Sequence, residues 1–258
     1  MAPRTRGASG VTRDAPSARC GDVVGTVTEV RDAPGASRED AAQWGIPAPP
    51  ASRLPALAAV LVAIALQVIL PDRVLEGLGN RALIPALEGA VLVVLLIASP
   101  TRISLEERRL RVVSIALIAL VTLANAVSLT ELIHALLYSP RTTGRPLVYA
   151  SVPIWLTNVI AFGLWFWELD RGGPAARSLA THRRPDFLFP QMSNPAVDDA
   201  WSPGFSDYLY TSFTNATAFS PTDTLPLTGW AKLLMTLQSL ASLITVAVVV
   251  SRAVNILA

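Results

Sequence analysis

Apolar residues along this chain gather into five long runs, and the stretches between them are punctuated by Pro, Gly and charge. The first run, Leu54–Leu70 (LPALAAVLVAIALQVIL), holds 17 residues without a charge. As a helix it reaches ~25 Å at 1.5 Å per residue, slightly short of a ~30 Å hydrocarbon core. Pro55 suits its first turn and Pro71 stops it. The second run, Ala82–Ala98, ends at Ser99-Pro100 and encloses Glu88. A third helix opens at Ser104-x-x-Glu107, a capping box, and continues through a long apolar segment to Tyr138. The fourth run is Leu147–Trp167, with Pro153 a mild interruption, and the fifth is Trp230–Leu257, with Lys232 near its start.

Two segments break this pattern. Residues 1–52 are rich in Pro, Gly, Ala, Ser and Arg and show no hydrophobic period. They are expected to be a disordered tail, because so little apolar surface cannot offset the entropy of ordering. Residues 168–229 are too polar to span a bilayer, yet SDYLYTSFTNATAFSPTDTLPLT is too apolar for an idle linker. Asp207–Thr217 predicts a short helix followed by a loop. Irregular backbone enters a membrane only where protein or water lines it, a condition that a re-entrant half-helix and loop satisfy. The expected fold is an all-α membrane protein of about five transmembrane helices, with that re-entrant element between the fourth and fifth. Its expected regions are the tail 1–52, a three-helix membrane region 53–140, and a helix–loop–helix region 147–258.

Composition supports a lipid environment. Of 258 residues, 52% are hydrophobic and only 16% charged, and mean hydropathy is +0.46. Soluble chains average about 25% charged residues. The net charge of +2 is too small to argue for a nucleic-acid partner. Cys20 is the sole cysteine, so an intrachain disulfide is excluded. No nucleophile elbow, phosphate loop or HExxH motif stands out, so no enzyme, cofactor or metal site is expected.

The segment Thr214-Asn215-Ala216-Thr217-Ala218-Phe219-Ser220-Pro221-Thr222-Asp223 resembles the TTxTTVGYGD stretch of the two-helix potassium-channel pore family. Asp223-x-x-Pro226-x-Thr228 matches the D-x-x-P-x-T that follows in that family. Ala231-Lys232-Leu233-Leu234 is similar to the opening of its inner helix. The likeness covers roughly Ile154–Ala258, under half of the chain. It implies a homotetramer surrounding a pore for monovalent cations in the cell membrane.

The departures are informative too. Potassium filters strip the ion of water with a ladder of backbone carbonyls, and their glycines allow backbone angles that other residues resist. Here Ala218, Phe219, Ser220, Pro221 and Thr222 occupy the TVGYG positions. Pro221 fixes φ near −65° and removes an N–H. The resemblance therefore implies altered selectivity, with Thr217, Ser220, Thr222 and Asp223 as the side chains to line a pore. Four copies of Asp223 would form an acidic ring that favours cations. In a plainer reading, Asp223 anchors a loop and Pro221 and Pro226 shape a turn.

Ionisable residues within apolar helices offer a different chemistry. Glu88, Glu131 and His134 are candidates for a proton or ion site, since a charge at mid-bilayer costs ~2.5–3.5 kcal/mol and usually faces a bundle interior. In the plainer reading, Glu88 lies near the interface and Glu131 and His134 sit among the headgroups. Asn125 and Asn158 are expected to bond between helices. Trp165, Trp167 and Trp230 predict an aromatic belt at the interface, where Glu168, Asp170 and Arg171 are placed to hold the mouth of the re-entrant loop. Arg177, His182, Arg183 and Arg184 form a basic cluster suited to lipid headgroups. Arginine counts place the tail and the 100–111 and 168–229 loops in the cytoplasm, whereas the channel resemblance places the pore loop outside. A non-conducting scaffold or sensor, and a small transporter using Glu88, stay open beside the channel.

Overall fold

The computed structural model describes residues 52–70, 86–87, 89–90, 107–138, 144–177, 184–193, 201–217 and 223–257. Residues Gln43–Ala258 form one compact unit. Its α-helices among the described residues include α1 (Leu54–Ile69), α2 (Glu107–Tyr138), α3 (Gly144–Leu169), α4 (Pro174–Arg177), α5 (Phe205–Thr217) and α6 (Gly229–Leu257). Two-residue strands β1 (Phe187–Leu188) and β2 (Leu225–Pro226) pair antiparallel, Phe187 opposite Pro226 and Leu188 opposite Leu225. The expected tail lies outside the described residues up to position 51, as does most of the expected second span, including Glu88.

Among the described residues, three helices are long and apolar enough to cross a membrane, within Leu110–Tyr138, Val148–Gly172 and Gly229–Ser251. The 16-residue α1 is shorter, about 24 Å. It starts as its sequence dictates, with Pro55 in the first turn, and leaves the helical region at Leu70, where ψ is 137° just before Pro71. Helix α3 runs through Pro153 without ending.

Helix α3 is the hub, packed against α1, α2, α5 and α6. Ala56, Val60 and Ala63 of α1 join Leu117 and Val121 of α2 and Ala161 and Leu164 of α3 in one buried cluster. The alanines let these backbones approach, which is how apolar helices gain contact when lipid offers the same hydrophobicity as their neighbours. Helix α6 lies at the edge and turns Leu233, Leu237, Leu240, Leu243 and Val250 outward.

At the C-terminal end of α3 the chain turns through three residues of positive φ: Arg171 at 53°, Gly172 at 90° and Gly173 at 99°. A Cβ on Gly173 would fall 2.9 Å from the Glu168 carbonyl, so this turn requires glycine. The turn redirects the chain toward β1. There Phe187 is fully buried, with ring centroids 5.0 Å from Phe166, 6.3 Å from Tyr208 and 5.9 Å from Trp230.

Candidate functional site

The short helix α5 occupies the groove between α3 and α6. Its sequence explains the fit: one face carries Phe205, Tyr208, Thr211, Ser212 and Ala216, all buried. Opposite that face, Gly163 of α3 opens the room. A Cβ at Gly163 would come within 3.2 Å of both Leu209 Cα and Leu209 Cδ1. The α3–α5 approach is thus set by a missing methyl group.

Polar side chains fasten α5 at two levels. Near its start, the Tyr208 hydroxyl donates to Asp170 Oδ2 at 2.5 Å. Asp170 is fully buried; it also accepts from the Asp186 N–H at 2.8 Å and from Arg171 Nε at 3.2 Å. Asp186 in turn accepts from Trp230 Nε1 at 3.0 Å and from the Arg171 N–H at 2.8 Å. One chain of bonds therefore links the end of α3, the β1 approach, α5 and the start of α6. Burial raises the Tyr208 phenol well above its ordinary pKa of 10.0, and the Asp170 carboxylate pushes the same way.

The second level lies farther along. The Gln238 amide donates to Ser212 O at 2.8 Å and Ser212 Oγ at 2.6 Å, while Ser212 donates to Val159 O at 2.6 Å. Asn215 donates to Gln238 Oε1 at 2.8 Å and Met235 O at 2.9 Å. Asn158 of α3 donates to Ser242 Oγ at 2.9 Å, joining the two long helices directly. From Gly229 to Gln238 is about 14 Å along α6 at 1.5 Å per residue. Beyond α5, Thr224 lies against that helix, its hydroxyl accepting from Thr211 Oγ1 at 3.1 Å.

Of the residues that the sequence singled out, Thr217 ends α5, half-buried, and donates to Thr214 O at 2.9 Å. Asp223 is exposed. Ala218, Phe219, Ser220, Pro221 and Thr222 lie outside the described residues. Glu131 is half-buried and His134 exposed, its ring centroid 4.9 Å from Tyr138; no hydrogen bond or ion pair joins His134 to Glu131. Asn158 bonds between helices as expected.

Arg177 behaves differently from the headgroup role expected of it. It is buried, donates to Trp167 O at 2.7 Å and Asp170 O at 2.9 Å, and lies over the Tyr208 ring at 5.2 Å. A guanidinium can satisfy the free carbonyls at a helix end, and here it closes the C-terminus of α3. Sequence reading also passed over Tyr208 and Gln238. A glutamine inside an otherwise apolar helix was the available signal for the second. Among the described residues no three His, Cys, Asp or Glu side chains converge as a metal-binding group.

No family model matches the chain, and no curated protein or solved structure is found similar to it.

Proposed function

We propose that this chain is a pore-loop membrane protein of ion-channel type, with α3 as outer helix, α5 as pore helix and α6 as inner helix. The observation that carries this reading is the wedged position of α5. Ser212 and Asn215 bond to Met235 and Gln238, roughly halfway along a ~30 Å hydrocarbon core if α6 begins at the interface. Thr211 donates to Thr224, so the segment that leads into α6 lies against α5. A short helix ending at such depth needs protein or water around its end. Four copies about one axis supply both, and bring Asp223, exposed in the single chain, into an acidic ring selective for cations.

The filter positions lack glycine, so selectivity differs from that of potassium channels. Reconstitution into planar bilayers tests conduction: cation current is expected, and silence across voltage and pH counts against the proposal. A second reading, a non-conducting scaffold or sensor with this same packing, draws on the satisfaction of the Gln238 amide by its own neighbours. Cryo-microscopy in lipid separates the two, since a tetramer closed by side chains on its axis selects the scaffold. The same images test the number four, and the absence of catalytic chemistry is part of the proposal.

A further inference from the structure

The beginnings of α2 and α6 and the turn after α3 border an open cleft of about 680 Å³, within the size range of ligand sites. Three guanidiniums line it: Arg111 of α2, Arg171 of the turn, and Arg184 ahead of β1. One carboxylate, Asp186, also reaches it, but its two oxygens already accept from Trp230 Nε1 and the Arg171 N–H. The cationic groups are less completely used. The buried terminal nitrogen NH2 of Arg171 has no hydrogen-bond partner among the described residues. Arg111 is ion-paired with Glu168, its Nε 3.6 Å from Oε1 and without a hydrogen bond, and its NH2 donates to the Glu168 carbonyl at 3.5 Å. Arg184 is exposed and makes neither hydrogen bond nor ion pair among the described residues. Glu168 and Asp170 pair with one edge of Arg111 and Arg171, and Arg184 has no carboxylate partner among the described residues; the forked donors left over fit a phosphate, whose oxygens accept bidentate guanidinium bonds.

The surroundings decide which phosphate. Trp165 and Trp230 also line the cleft, and indoles of membrane proteins mark the headgroup level. From there an exposed strip descends α6: Leu233 at 59%, Leu237 at 48% and Leu240 at 53% exposure. Their spacing places them on one helix face. A free phosphate has no use for that strip, whereas an acyl chain does. We infer that the cleft seats the phosphate headgroup of an anionic phospholipid, whose acyl chain lies along Leu233, Leu237 and Leu240. The inference needs the membrane helices but not conduction.

The test uses the full chain in detergent, titrated with phosphatidylglycerol, phosphatidylcholine or glycerol phosphate, with native mass spectrometry and thermal unfolding as readouts. Phosphatidylglycerol is expected to stay bound and raise Tm, and the other two are not. Arg184→Gln, at an exposed position, is expected to keep the lipid-free Tm and weaken phosphatidylglycerol binding about fivefold. Arg111→Gln is expected to weaken it similarly. Equal binding of the two lipids overturns the inference, as does unchanged affinity in both variants. Equal protection by glycerol phosphate overturns it too, and marks a site for a soluble anion.

Discussion

Asn158 of α3 and Ser242 of α6, 84 positions apart in sequence, are joined by a buried hydrogen bond of 2.9 Å. With Gln238, Ser212 and Asn215 they make a polar seam through otherwise apolar packing. In lipid such groups have no water to fall back on. Their pairing fixes how α3, α5 and α6 stand relative to one another more narrowly than leucines and valines can.

Replacing Gln238 with Leu removes three side-chain bonds and leaves Ser212 O without that partner. The expected cost is about 1–3 kcal/mol of unfolding free energy. Denaturant unfolding in mixed micelles checks it. Asn158→Ala in a double-mutant cycle with Gln238→Leu is expected to be non-additive, since both touch one seam.

Gly163→Val drives a branched side chain into Leu209, whose backbone is already 3.2 Å from an added Cβ. A loss of about 1–3 kcal/mol is expected from such overpacking, with α5 displaced and protease access between α5 and α6 increased. Gly229→Ala has open space around its Cβ and is expected to change stability little, which makes it the control.

Tyr208→Phe removes the bond to Asp170 and leaves a buried carboxylate with one donor fewer, a cost of about 1–3 kcal/mol near neutral pH. The pH dependence carries a sign. In the folded protein the phenol holds its proton above the ordinary value of 10.0. Its contribution is complete below pH 10 and is lost as pH rises toward the folded-state value. Wild type is therefore expected to lose stability above about pH 10 more steeply than Tyr208→Phe. Alkaline unfolding followed by circular dichroism reads the difference.

Asp223→Asn leaves the packing untouched, because this side chain is exposed in the single chain. On the pore reading it removes four negative charges from one ring and is expected to lower cation-over-anion preference severalfold. The reversal potential in a salt gradient measures this, and an unchanged value removes Asp223 from the lining.

Much of this arrangement was legible from hydrophobic runs alone. The long helices begin and end within a few residues of where apolar runs meet Pro, Gly or charge, as at Tyr138 and Trp230. The short helix was legible too, since Asp207–Thr217 falls inside Phe205–Thr217. What could not be read was tertiary. Arg177 looks like any loop arginine until the chain turn brings the carbonyls of Trp167 and Asp170 to it. Phe187 and Leu188 give no strand period because a two-residue ladder is too short to have one. Gly163 shows its purpose only once Leu209 lies against it.

The bonds along α6 are unevenly distributed. Trp230, Met235, Gln238, Ser239 and Ser242 all engage other elements through hydrogen bonds. Beyond Ser242, the hydroxyls of Thr245 and Ser251 turn back onto their own helix, and Val248 meets Ile154 and Leu132 through apolar contact. Hydrogen bonds specify register, whereas apolar surfaces slide at small cost. The first half of α6 is thus held to its neighbours by directional bonds, and the half beyond Ser242 by apolar packing alone among the described contacts.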